Sequence, residues 1–187
     1  MKRKIIEGTK NFKKPNIKKE IDIKIPQKRI SKKQKKYRYR KKEKNQPIIL
    51  HNNIIHMFTD GSCLKNPGPA GSACILFYNN YRKIKSKYLG VTTINVAELT
   101  AIKMGLELIK TGYRDIPIVI YTDSMYCICL LSMNWKARKN VKLIGDIKSL
   151  ISCFENVTFV KVKSHSGVRY NNAVDRLAKK ASGVLKK

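Results

Sequence analysis

The chain has 187 residues, 41 of them Lys or Arg against 12 Asp or Glu, for a formal net charge of +29. That balance points to a polyanionic partner, with nucleic acid the leading candidate. No apolar run approaches the ~18–20 residues of a membrane span, and none of the five cysteines (Cys63, Cys74, Cys127, Cys129, Cys153) stands at the C-x₂-C spacing of a zinc site. An odd set of scattered thiols reads as reduced and mostly core, in an intracellular compartment.

The charge is uneven along the chain. Residues 1–45 hold 20 Lys/Arg and 4 acids, and the remainder holds 21 and 8. Pro15, Pro26 and Pro47 interrupt any helix in the first part, and the stretch from Lys32 to Lys44 is almost wholly basic. Residues 1–47 are therefore expected to be a disordered, solvated tail that binds nucleic acid non-specifically, with a nuclear localisation signal as a compatible second role. Tyr37 and Tyr39 within it are of a type that can stack on bases. The N-terminus is lysine-rich without an apolar core, so no secretory signal is expected.

From 48 to 187 the pattern is globular, with about 140 residues to bury a core. Apolar runs bounded by turn residues predict strands over 54–60, 72–78 and 82–89, the first pair separated by a Gly/Pro/Asn-rich turn. Helical spacing of Val96, Leu99, Ile102, Leu106 and Ile109 predicts a helix over 95–111, with Gly112 as its stop. The continuous β-branched run 116–121 reads as a strand buried on both faces. Helices over 123–133 and 141–154, a strand over 157–162 and a helix over 171–185 follow. The expected fold is α/β: a five-stranded mixed sheet flanked by helices, strands one to three antiparallel, four and five parallel to the first.

Only eight acids lie in this part, and four sit where a solubilising acid would not. Asp60 ends the first strand, Asp123 ends the β-branched strand, Glu98 is in the first turn of a helix, and Asp175 opens the last helix. Taken singly, each also reads as a capping or dipole-matching residue. Functional sites of open α/β sheets gather where strands end and helices begin. Four carboxylates meeting there would repel one another without hard cations, and an oxygen-only ligand set suits Mg²⁺ or Mn²⁺. Two such ions about 4 Å apart suit phosphodiester hydrolysis: one lowers the pKa of the attacking water, and the other stabilises the leaving oxygen.

Four motifs then stand in order: Thr59-Asp60-Gly61-Ser62-Cys63 with Asn66-Pro67-Gly68-Pro69-Ala70-Gly71; Ala97-Glu98-Leu99; Tyr121-Thr122-Asp123-Ser124; and Ser164-His165-Ser166-Gly167 with Asp175 ten residues after the histidine. From about His56 to Ala181 the chain resembles the type 1 ribonucleases H. The resemblance implies the ribonuclease H-like fold. It also implies endonucleolytic cleavage of the RNA strand of RNA–DNA hybrids, leaving 5′-phosphate and 3′-hydroxyl ends. Asp60, Glu98, Asp123 and Asp175 would ligate two Mg²⁺ ions, with Mn²⁺ as a substitute and Asp60 shared between the ions. Glu98 would also lie near the 2′-hydroxyl that tells RNA from DNA. His165 would be the proton shuttle.

Substrate contacts implied by the resemblance are Asn66 to the hybrid, Thr93 and Asn140 in a pocket for a DNA phosphate, Asn171 just before the last acid, and Trp135 against the DNA strand. Asn95 retains one of two polar residues that the family often places before the helix of Glu98. Ile94 replaces the other, which implies one minor-groove contact fewer. Ser164 stands for the usual glycine before the histidine. Between Asp123 and Asn140 the chain is too short for the extra helix and basic handle of the well-known cellular enzymes, and residues 1–45 lack the pattern of the family's folded N-terminal hybrid-binding domain. The basic tail is expected to substitute for both grips. Integrases, transposases and junction resolvases share the carboxylate layout but lack the loop at 61–71; a basic binding protein with a dead nuclease domain is opposed by the intact acids and histidine. The expected form is a monomer in cytoplasm or nucleus.

Overall fold

The computed structural model describes residues 38–41, 48–133, 135–162 and 169–183. In chain order these form β1 (Arg38–Lys41), β2 (Ile55–Cys63), β3 (Gly68–Tyr78), β4 (Tyr81–Thr92), α1 (Ile94–Glu107), β5 (Ile118–Thr122), α2 (Met125–Ser132), α3 (Val141–Ser152), β6 (Val157–Lys161) and α4 (Arg169–Ser182). A short 3₁₀ turn, Thr111–Tyr113, precedes β5.

The sheet has the order β1-β6-β5-β2-β3-β4. β1, β6, β5 and β2 run parallel, and β3 and β4 complete an antiparallel meander on β2. The expected mixed sheet is present with six strands in place of five. The sixth, Arg38–Lys41, comes from the basic segment expected to be disordered. Its register on β6 sets Tyr39 opposite Phe159, and Tyr39 packs half-buried against the main core. One aromatic residue among cations gives this short stretch an apolar anchor at a sheet edge that offers unpaired backbone groups.

Alternation along the central strands divides the core in two. Met57, Ile120 and Phe159 face α1, α2 and α3 in one cluster. Phe58, Tyr121 and Val160, one residue on in each strand, face α4 in another. β2 and β5 are covered on both sides, which is why they read as unbroken apolar runs. Helix starts differ from expectation. Thr93 is the N-cap of α1, its hydroxyl accepting from Val96 N at 3.4 Å, so Glu98 lies in the second turn rather than the first. α4 begins at Arg169, which puts Asp175 within the helix rather than at its opening.

Because β1 covers the β6 edge through Tyr39, a chain starting at residue 48 should be less stable than one starting at 38. Burial of half a tyrosine is worth roughly 1–2 kcal/mol, a fall of several degrees in Tm, measurable by thermal denaturation of the two chains.

Candidate active site

The register of two parallel strands brings the first pair of carboxylates together. Phe58 on β2 lies opposite Tyr121 on β5, and their rings stack at 4.5 Å. Two residues further on, on the same face, come Asp60, which lies within β2 with three strand residues beyond it rather than at its end, and Asp123, just past the end of β5. The platform beneath them is rigid. Tyr170 of α4 packs on Phe58 at 5.2 Å and on Phe77 at 4.8 Å. His56, buried, has its Nδ1 3.0 Å from Tyr121 Oη and accepts from the His51 backbone N–H through Nε2. Burial holds its pKa down at about 4, so the imidazole is neutral and Nδ1 donates to the tyrosine.

Glu98 arrives from α1, and Gly61 makes that approach feasible. A Cβ on Gly61 would sit 2.6 Å from Glu98 N and 2.8 Å from the Ala97 carbonyl carbon, distances that real side chains do not reach. Ser72 Oγ fixes the same turn by donating to Ala97 O at 2.6 Å. One carboxylate oxygen from each of Asp60, Glu98 and Asp123 consequently lies within 4.8 Å of the others. Asp60 and Glu98 are buried and Asp123 is half-buried.

Such crowding is unfavourable for three anions. Desolvation, then the charges of Asp123 and Asp175, push the Asp60 carboxyl up to about 7, although the Gly61 N–H, 2.8 Å from Oδ1, favours the ionised form. Desolvation and the charges of Asp60 and Asp123 push Glu98 well above the ordinary carboxylate range. Glu98 Oε2 is buried with no hydrogen-bond partner. An orphaned, desolvated oxygen facing two further carboxylates fits a hard divalent cation, which would supply the missing partner and the missing charge.

The fourth expected acid is close but differently engaged. Asp175 lies outside the group of three, and its Oδ2 accepts from Lys179 Nζ at 2.8 Å, one helical turn away. It is near enough to contribute to the shift at Asp60. α4 is fastened beside β2 where Ser182 Oγ donates to Ser62 Oγ at 3.0 Å. Sequence reading missed both Lys179 and this serine pair. The i,i+4 spacing of Asp175 and Lys179 was the available signal for the first; nothing local signals the second.

The remaining expected residues are placed as follows. Asn66 Oδ1 accepts from Ile94 N at 3.0 Å and ties the β2–β3 turn to the start of α1. Thr93 caps that helix, and Asn95 is half-buried in its first turn. Asn140 takes a left-handed conformation (φ 57°) before α3, and its Nδ2 donates to Tyr126 Oη at 3.2 Å. Trp135 is 62% exposed, a solvent-facing aromatic rather than a core residue. Asn171 is buried in the first turn of α4. His165 lies outside the described residues. The five cysteines are free.

Carboxylates gathered from two parallel strands and one helix, in a strongly basic chain, suit a cation-dependent phosphodiester hydrolase. The ribonuclease H family model matches residues 52–183. Ribonuclease H of Caldicellulosiruptor saccharolyticus is 34% identical over 139 residues, 67% of this chain and 93% of that one. Ribonuclease H of Pseudoalteromonas translucida is 38% identical over 141 residues, 69% and 90% of the two chains. The crystal structure of LC11-RNase H1 in complex with an RNA/DNA hybrid is similar in fold, with a TM-score of 0.61 at 24% identity over 70% of this chain and 97% of that one. The chain belongs to the ribonuclease H family, metal-dependent endonucleases.

Two predictions follow from the crowding. The folded-state pKa of Asp60 lies above its ordinary value, so without cation the native state binds the proton more tightly than the unfolded chain. The associated stability is present at low pH and is lost as pH rises through about 7. Asp60→Asn should therefore be more stable than the parent at pH 8 by on the order of 1–3 kcal/mol, with the gain vanishing near pH 4. Denaturation in EDTA across that range reads this difference. Gly61→Ala should push α1 away from β2 and lower kcat at least ten-fold, about 1.4 kcal/mol in the barrier, while circular dichroism stays native.

Proposed function

We propose that this chain hydrolyses the RNA strand of RNA–DNA hybrids by two-metal-ion catalysis, releasing 5′-phosphate and 3′-hydroxyl ends. The observation that carries this reading is the desolvated Asp60–Glu98–Asp123 group, with oxygens within 4.8 Å and the Glu98 Oε2 unpartnered, in a ribonuclease H chain. That a family relative of the same fold was crystallised with an RNA/DNA hybrid supports the substrate.

Asp60, Glu98, Asp123 and Asp175 hold the ions, Mg²⁺ with Mn²⁺ as a substitute. When bound, the ions supply Lewis acidity and offset the charge of the phosphodiester. The rest falls to the chain. Release of Asp175 from Lys179 frees its carboxylate to act as a ligand. Glu98 faces the ribose 2′-hydroxyl and so discriminates RNA from DNA. His165 carries the proton to and from the reacting oxygen. Asn66, Asn95 and Asn171 contact the hybrid, Thr93 and Asn140 hold a DNA phosphate, and Trp135, already exposed, stacks on the DNA strand. The basic tail adds non-specific affinity by counterion release. The enzyme acts as a monomer in an intracellular compartment, a setting that suits five free thiols.

The test uses labelled RNA–DNA hybrid, duplex RNA and duplex DNA with Mg²⁺ or EDTA, beside Asp123→Asn. Cutting of only the RNA strand of the hybrid, lost in EDTA and in the variant, is the expected result. Cutting of duplex DNA, or binding without cutting, would contradict it. Removing residues 1–37 while retaining β1 should raise KM and flatten its salt dependence with kcat unchanged. A fall in kcat at constant KM would remove the tail from substrate binding.

A further inference from the structure

β4 is the outer edge of the sheet opposite β1, and it is exposed along its first eight residues. Its register on β3 assigns its side chains to faces. Lys83, Lys85 and Lys87 lie opposite Leu76, Cys74 and Ser72, on the side of the sheet that carries α1. Lys83 Nζ reaches only the Leu108 carbonyl at the end of that helix. None of the three, nor Arg82, is in an ion pair among the described residues. Tyr81 (76% exposed) shares that face, while Ile84 (46%) and Tyr88 (56%) lie opposite Ile75 and Gly71 on the other; with Val91 (74%) they are four of the large apolar residues most open to solvent. Lysines on an edge strand discourage pairing between sheets. That role gives no reason for exposed aromatic and aliphatic residues interleaved with the charges, which work against it.

β4 is antiparallel to β3 and so runs in the same sense as β2. It ends at Thr92, next to the Thr93 cap of the helix that carries Glu98, at the end of the sheet where the carboxylates gather. We infer that the Lys83–Lys85–Lys87 row is a second phosphate-binding surface, on the strand that leads to the active-site end of the sheet, for the backbone of a nucleic-acid strand that extends beyond the cleaved region. The inference rests on the hybrid nuclease reading and deepens it. A row of cations on alternate residues, with Tyr81 on the same face, suits a polyanion that is gripped without regard to sequence.

The geometry sets a length. At about 3.3 Å per residue, Lys87 and Lys83 lie roughly 17 and 30 Å along the strand from Thr92. At about 3.4 Å per nucleotide along each strand of a duplex, that corresponds to roughly 5 to 9 base pairs beyond the active site. A short hybrid seated at the carboxylates does not reach the row, and a long one does.

The experiment compares the full chain with Lys83→Gln/Lys85→Gln/Lys87→Gln and with the triple Lys→Arg variant, on hybrids of about 6 and 24 base pairs. On the long hybrid the Gln variant should raise KM about ten-fold, lower the slope of log affinity against log salt by about 2 to 3, and leave kcat unchanged. The Arg variant should restore parental KM, and the short hybrid should not distinguish the three proteins. Equal KM and salt slope for parent and Gln variant on the long hybrid would overturn the inference, as would an equal loss on both lengths, the mark of a diffuse charge effect. Anisotropy binding of the long hybrid is measured in parallel. If the parent cuts no hybrid, the nuclease reading fails by itself, and unchanged binding by the Gln variant then decides against the row independently. Loss of poly-glutamate binding with hybrid binding intact would hand the surface to an acidic protein and also overturn the proposal.

Discussion

Three carboxylates with oxygens within 4.8 Å of one another, two of them buried, are the constraint on which the rest of this structure depends. Each charge taken from water costs several kcal/mol unless it is paired, and like charges at this separation add to that cost. The buried Glu98 Oε2 is left without a hydrogen-bond partner. Lys179 goes to Asp175, and Asp146 is held by Lys103 and Lys142. The group is left as an acceptor of cations, and the fold is arranged to keep it so. β2 and β5 deliver Asp60 and Asp123 in register, Gly61 admits α1, and the Phe58–Tyr121 stack stiffens the floor.

The large positive charge and the small acidic centre are two parts of one electrostatic design. A strongly basic surface draws a polyanion from a distance and makes association fast and salt-sensitive. The carboxylates act only over a few ångströms, where they suit a divalent cation. Neither feature substitutes for the other: basic charge provides affinity without chemistry, and an acidic cluster alone would repel a phosphate backbone. The lysines of β4 and the short strand β1 stand at opposite edges of the same sheet.

Much of this was legible in the chain because local signals and tertiary roles coincide. The run into Asp60, the turn at Asn66–Gly68 and the β-branched strand into Asp123 each carry their period on their face, and their order implied the mixed sheet. What was not legible depends on partners distant in sequence. Arg38–Lys41 reads as a solvated charge run, and only Tyr39 meeting the core beside Phe159 makes it a strand. Asp175 reads as the opening of a helix expected from residue 171; α4 instead begins at Arg169 and carries Asp175 within it. The role of Gly61 was invisible as well, since Asp-Gly reads locally as a turn while its function is to leave room for Glu98 N.

The central claim is that burial and mutual repulsion favour the protonated forms of Asp60 and Glu98, and that a divalent cation displaces those protons. Isothermal titration of Mg²⁺ into the protein at pH 7, repeated in buffers of different ionisation enthalpy, counts those protons directly. The account predicts saturable binding with release of about one proton or more per protein, absent in Glu98→Gln combined with Asp60→Asn. Saturable binding without proton release, or equal binding by the double variant, would contradict it.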